Sequence, residues 1–212
     1  MSDLTLVVGN ANTSSWSLRP WLALTAFGVP FAEATVNLRA SDAKAQILAH
    51  SPSGLVPALK TASLTIWDSL AIIEYVAERF PEKAFWPRER EVRGLARAVV
   101  SEMHSGFRPL RVACPMNIVA TGLAPGPEEG VEADIARIRE SWAACLARSG
   151  GPFLFGAFSA ADAFYAPVVS RFRTYGIGLE GELRAYAGRV WDHPAMGAWR
   201  ARAAREVAAA AP

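Results

Sequence analysis

The chain has 212 residues, of which 51% are hydrophobic and 20% charged, and its formal net charge is +2. This length suits one large core or two small ones, and the composition excludes disorder over most of the chain. The small charge is not gathered into a Lys/Arg block, which argues against nucleic acid as a partner.

Leu4 to Val8 is a continuous apolar run ending in Gly-Asn, the length and flank of a strand buried on both faces. After the polar stretch Asn10–Ser15, apolar residues at Leu18, Trp21, Leu22, Leu24 and Phe27 recur at helical spacing. Gly28 supplies the stop, and Pro20 is expected in the first turn, where a missing N–H is tolerated. Phe31–Leu38 reads as a second strand, and Ser41 with Asp42 then caps a short helix through about Ala49. Leu55–Leu59 and Ser63–Trp67, separated by a tight turn, read as a hairpin. Asp68 or Ser69 caps an apolar helix from Leu70 to Phe80, closed by Pro81. The predicted order is βαβαββα.

From Pro81 to Pro87 the chain is aromatic and proline-rich and reads as a linker. Beyond it no sustained strand-like alternation returns. Helical periodicity recurs over about 88–113, 130–149, 160–175 and 193–209, with Pro/Gly breaks at 122–130, 150–152 and 176–181. The expected fold class is therefore α/β followed by all-α.

Charge and cysteine usage narrow the chemistry. Residues 1–80 carry five basic and six acidic side chains, leaving 17 and 14 for the remainder, a mild Arg excess that favours acidic ligands. Cys114 and Cys145 are far apart and lack CxxC spacing, so neither a zinc knuckle nor a redox pair is expected. There is no Gly-rich phosphate loop and no His/Cys cluster, so no metal or nucleotide is implied. The first ten residues have no basic n-region, and no stretch approaches the roughly 20 apolar residues of a membrane helix, so the expected location is the cytoplasm, away from membranes.

Two local features carry chemistry of their own. Pro57 interrupts a run that otherwise reads as a strand, and a cis Val56–Pro57 bond would expose the Val56 backbone N–H and C=O to a peptide ligand. An ordinary trans proline at a strand start is the alternative. Asp68-Ser69 lies at a helix N-terminus, where N–H groups and a hydroxyl accept a carboxylate while the aspartate pairs with an ammonium. The plainer role for either residue is to cap the helix.

The string Asn12-Thr13-Ser14-Ser15-Trp16-Ser17-Leu18-Arg19, then Leu55-Val56-Pro57-Ala58-Leu59, then Asp68-Ser69-Leu70-Ala71-Ile72-Ile73-Glu74-Tyr75 resembles the glutathione transferase family. Phe153-Leu154-Phe155-Gly156 followed by Ser159-Ala160-Ala161-Asp162 resembles the family's capping box before a buried core helix. The resemblance covers essentially the whole chain and is nearest to the serine-type theta and zeta classes, although Trp16 stands where zeta-type sequences carry Cys. It implies a thioredoxin-like domain over residues 1–81 and an all-helical domain over 88–212 that carries the electrophile pocket.

On that resemblance the protein is a homodimeric glutathione S-transferase that joins the glutathione thiolate to a small apolar electrophile, a detoxification chemistry. Ser14 or Ser15 would donate a hydrogen bond to the thiolate, with the other serine left as a helix cap. Glutathione, the co-substrate, would lie along Leu55, Val56 and Pro57 with its γ-glutamyl end at Asp68 and Ser69. The family's usual Lys or Gln is replaced by Leu55, so the glycine carboxylate falls to another residue, for which His50 is the candidate. Trp16, Met103, His104, Phe107 and Arg111 are the candidates for the electrophile pocket, and Met103 with Phe107 fits an ordinary core stripe equally well. His104, Arg108 and Arg111 suit an acidic or conjugated substrate, while Arg19 fits an ion pair or a ligand contact. Trp67 and Trp86 are candidates for the dimer interface or the core. Two other functions remain open: glutathione-dependent isomerisation of a dicarboxylate, and ligand binding without turnover.

Overall fold

The computed structural model describes residues 3–210. Its sheet half contains β1 (Thr5–Val8), α1 (Ser15–Ala26), β2 (Ala32–Thr35), α2 (Ala43–Leu48), β3 (Ala58–Lys60), β4 (Thr65–Trp67) and α3 (Ser69–Arg79), in the expected order. The helical half follows as α4 (Arg90–Ser105), α5 (Arg108–Ala113), α6 (Val131–Ser149), α7 (Ala160–Thr174), α8 (Gly181–Asp192) and α9 (Pro194–Ala209). This is a thioredoxin-like domain joined to a helical one. No helix among the described residues is long and apolar enough to cross a membrane.

The strands run in the order β2-β1-β3-β4, with β1 parallel to β2 and antiparallel to β3. Leu6, Val7 and Val8 have no exposure, as expected of a central apolar strand covered on both faces. The register decides where chemistry gathers. Val7 faces Ala58 and Ala58 faces Trp67, so the end of β1, the start of β3 and the end of β4 lie at one end of the sheet. Both α1 and α3 begin at that same end.

The two halves meet mainly through α1, which packs on α7 and α9, and through a single apolar core that takes in residues from Leu4 to Ala203. Helix α7 is buried along nearly its whole length, and Asp162 ties its first turn by accepting from the Ser159 and Leu154 N–H groups at 2.8 and 3.1 Å. The capping box read from the sequence is therefore built into a buried helix.

Three local readings differ from the structure. Because α1 begins at Ser15, Pro20 falls in the second turn, so the Trp16 carbonyl lacks its usual i+4 N–H donor. The stretch 88–113 is two helices: Gly106 is extended and Phe107 sits at φ 58, which ends α4 and turns the chain into α5. Residues 181–192, unassigned in the sequence, form α8.

Candidate functional site

Ser14 is the N-cap of α1, and its Oγ accepts from the Ser17 N–H at 3.4 Å. The same hydroxyl donates to Ser17 Oγ at 2.8 Å, and Ser17 Oγ in turn accepts from the Gly9 N–H at 3.0 Å. Ser14 is thus backed by a second hydroxyl rather than by a base. Ser15 turns the other way: its Oγ accepts from Arg171 Nη2 of α7 at 3.4 Å, which commits it to the contact between the halves. Both serines are about 7% exposed.

The Val56–Pro57 peptide is cis, and neither the N–H nor the C=O of Val56 has a partner among the described residues. Leu55 projects outward at 67% exposure. Nearby, the Nδ1 atom of His50 is buried without a partner, at the C-terminal end of α2.

At the start of α3, Asp68 holds φ 75 and caps the helix by accepting from the Leu70 N–H at 2.8 Å. Its carboxylate also meets His104 Nε2 of α4 at 2.8 Å. Ser69 is buried, and its hydroxyl has no hydrogen-bond partner. An unpaired buried hydroxyl at a helix start is a donor that lacks an acceptor.

Trp16 joins these pieces. Its ring lies 5.4 Å from the His104 ring, edge to face, so the first turns of α1 and α3 both touch the same histidine. The Arg19 and Arg111 guanidinium carbons lie 4.1 and 4.7 Å from the Trp16 ring centroid. The structure therefore brings Trp16, His104 and Asp68 together.

Met103 has no exposure and Phe107 only 7%, and both belong to the shared apolar core. Arg111 Nη2 donates to the His104 carbonyl at 3.1 Å and to the Met103 carbonyl, which closes the end of α4. Arg108 is exposed and pairs loosely with Glu128 at 3.8 Å. Trp86 is buried, while Trp67 remains 48% exposed on the hairpin.

Arg19 is the residue whose environment the sequence did not disclose. It is wholly buried, and none of its three guanidinium nitrogens has a hydrogen-bond partner among the described residues. No ion pair meets it either; its contacts are the faces of Trp16 and Phe164. Burial holds its pKa well below the usual guanidinium range, Arg111 and Arg171 add repulsion, and Asp68 offsets part of it. Arg171 is itself pushed down to about 10, by burial first and by Arg111 second. Three guanidinium groups thus crowd the junction of α1, α5 and α7.

A cavity of about 940 Å³ opens between the Asn10–Asn12 loop, the loop after β2, residues 117–120 and the end of α9. None of the pocket candidates read from the sequence lines it. Its signal was a set of asparagines scattered over three loops, which no spacing rule collects. Among the described residues no group of His, Cys, Asp and Glu gathers in the way a metal ion requires.

Comparison with known proteins bears on the family and the fold. Residues 13–79 match the model of the glutathione S-transferase N-terminal domain, and residues 128–202 match that of the glutathione S-transferase C-terminal domain. A probable maleylacetoacetate isomerase of Caenorhabditis elegans is 34% identical over 99 residues, which are 47% of this chain and 45% of the nematode protein. Glutathione S-transferase 1 of Dianthus caryophyllus is 28% identical over 174 residues, covering 80% of this chain and 76% of the plant protein. The match to the nematode relative thus spans less than half of that protein's length. A Burkholderia glutathione transferase homologue solved with bound glutathione superposes with a TM-score of 0.73 at 23% identity, covering 95% of this chain and 98% of its own. Glutathione transferase Omega 3C from Trametes versicolor does so with a TM-score of 0.72 at 23% identity, covering 99% and 93%. At such identities the superpositions establish the fold.

Proposed function

Matched by both domain models, the chain belongs to the glutathione S-transferase family, and we propose that it binds glutathione and transfers its sulfur to a small electrophile. The observation that supports the reading is the shared end of the strands, at which the Ser14 cap, the unpaired Val56 backbone and the unpaired Ser69 hydroxyl all lie.

Each end of the tripeptide has a partner of matching chemistry. The γ-glutamyl carboxylate takes the Ser69 hydroxyl and the N–H groups that open α3, and the ammonium takes the Asp68 carboxylate. The cysteinyl backbone pairs with the N–H and C=O of Val56 as an added strand. His50 is assigned the glycine carboxylate, because the Leu55 side chain has no donor.

Activation falls to Ser14. A serine hydroxyl is too weak an acid to serve as a base at neutral pH, so it acts as a donor. On binding, the thiol releases its proton to solvent, and the Ser14 hydroxyl turns from Ser17 Oγ to the sulfur. Ser17, 2.8 Å away, then donates into Ser14 Oγ and keeps the chain of hydroxyls polarised toward the thiolate. The positive end of α1 adds to the effect. The thiolate attacks the electrophilic carbon, a C–S bond forms, and the leaving group departs with its bonding pair. We assign the donor to Ser14 over Ser15 because the Ser15 hydroxyl lies against Arg171 of α7, in the contact between the two halves.

We further infer a cytoplasmic homodimer, with the half-exposed Leu64 and Trp67 of the β3–β4 hairpin supplying apolar surface for a second copy. The test of the enzymatic reading is the ultraviolet absorbance of bound glutathione thiolate against pH. A thiol pKa lowered in wild type and restored by Ser14→Ala is expected; no glutathione binding, or binding with an unshifted thiol, would overturn the reading.

A further inference from the structure

The side-chain oxygens of the four asparagines that line the cavity beside the Asn10–Asn12 loop are each engaged by its own walls. Asn10 Oδ1 accepts from the Leu38 N–H at 2.7 Å, and Asn37 Oδ1 accepts from the Arg39 N–H at 3.0 Å. Asn12 Oδ1 accepts from the Val119 N–H at 3.1 Å, and Asn117 Oδ1 accepts from the Ala120 N–H at 3.3 Å. A backbone N–H only donates, so these four bonds fix which end of each amide is oxygen and which is nitrogen.

The charged walls are spent in the same direction. Both Glu206 oxygens are taken, one by the Asn10 side-chain amide and the other by the Ala11 N–H at 2.6 Å. Thr35 Oγ1 accepts from Arg202 at 2.9 Å and donates to Glu33 at 3.2 Å. Arg202 completes its own pairing with Glu33. Among the lining side chains, those that remain without a partner among the described residues are donors: the amide groups of Asn12, Asn37 and Asn117, and the exposed guanidinium groups of Arg39 and Arg205.

We propose that this cavity binds an acceptor-rich anionic small molecule, one that carries at least one carboxylate or an equivalent oxyanion, and that this molecule is the second substrate. The assignment of the anion as a substrate rests on the transferase reading above; the binding itself does not. An oxyanion meets two guanidinium forks and three amides, which an uncharged ligand of the same shape leaves to solvent. The volume of about 940 Å³ accommodates a substituted aromatic acid with room for solvent. The place is also right for transfer, since Asn12 lies two residues before Ser14.

The test uses two matched pairs that differ in charge. Binding of dinitrobenzoate and of dinitrobenzamide, neither with a leaving group, is measured by titration calorimetry without glutathione. The acid is expected to bind at least about tenfold more tightly than the amide. Raising the salt concentration should weaken it, and so should Arg39→Gln and Arg205→Gln. Arg148→Gln, which removes an exposed charge outside the cavity, should leave it unchanged. Both cavity arginines are exposed and unpaired, so their replacement does not threaten the fold. Equal binding of acid and amide, no binding of either, or binding indifferent to both arginine substitutions would overturn the proposal.

Turnover separates this proposal from the reading beneath it. With glutathione, chlorodinitrobenzoate and chlorodinitrobenzamide both react by forming a C–S bond as chloride leaves with its electron pair. A higher kcat/KM for the acid, lost in Arg205→Gln, supports the cavity as the substrate site. Turnover that favours the amide counts against it while leaving the transferase reading intact. Acid binding with no turnover of either compound overturns the substrate role.

Discussion

His104 Nε2 lies 2.8 Å from Asp68 Oδ2, so a helix of the second half holds the carboxylate that caps α3 in the first. Asp68 at φ 75 occupies a backbone region that side chains seldom adopt, and two partners, Leu70 N–H and His104, keep its carboxylate in one orientation. Removing His104 should therefore loosen the group that meets the γ-glutamyl ammonium. For His104→Ala we expect KM for glutathione to rise about threefold to tenfold with kcat little changed, and His104→Gln to recover part of the loss. The range is modest because the Asp68 side chain is 41% exposed and solvent screens it. A deaminated glutathione analogue should be insensitive to the substitution. A fall in kcat at unchanged KM would contradict this role.

The hydroxyl pair Ser14–Ser17 makes a graded prediction. Ser14→Ala removes the direct donor and should raise the pKa of bound thiol by about one unit or more, roughly 1.4 kcal/mol. Ser17→Ala removes only the hydroxyl behind it and should produce a smaller rise in the same direction. Ser15→Ala should shift the thiol least, because its oxygen faces Arg171. Thiolate absorbance against pH for the three variants orders them, and a larger effect from Ser15 than from Ser14 would reverse the assignment.

The same residues explain what the sequence discloses and what it withholds. Leu6, Val7 and Val8, and the apolar helix after Asp68, advertise their burial by periodicity, so β1 and α3 are legible within a residue or two. Ser14 and Ser15 are indistinguishable in sequence because either hydroxyl suits a helix start. Their surroundings differ through Arg171, 156 residues beyond Ser15, which donates to the Ser15 hydroxyl alone. Helix α8 opens on Gly181, the last residue of the Pro/Gly break at 176–181, and its low propensity is offset by tertiary packing that buries Tyr186 and Val190. Phe107 fits the α4 stripe by spacing, yet its φ of 58 ends that helix, so a strictly periodic reading ran through a turn. The donor-lined cavity is assembled from residues near 10, 37, 117 and 205, each unremarkable in its own segment.

Arg19 invites a stability experiment. A buried guanidinium without acceptors bears most of its desolvation cost unrelieved, and the faces of Trp16 and Phe164 return only part of it. Arg19→Met, which keeps much of the volume, is expected to leave the protein as stable as wild type or more stable by about 1–3 kcal/mol in denaturant melts. A loss of several kcal/mol would mean that the guanidinium is satisfied in solution by a group that the protein does not itself supply.

Asp162 sets a pH dependence whose sign runs against the usual one for a carboxylate. Burial pushes its pKa up to about 6 from an ordinary 3.8, although the N–H groups of Leu154 and Ser159 and the Ser159 hydroxyl pull the other way. Between those two values the folded chain holds a proton that the unfolded chain has released, so this group's contribution to stability falls as pH rises through the interval. Above about pH 6 both states are ionised and the full penalty of a buried charge remains, at most roughly 3 kcal/mol. Asp162→Asn removes the titration while keeping an oxygen for one of the N–H donors. The unfolding free energy of wild type relative to this variant should therefore decline from pH 4 to pH 7, in steps too small to see outside that window. A difference that is flat, or that rises with pH, would place the folded carboxyl at or below its ordinary pKa and make the four-centre cap stronger than its burial.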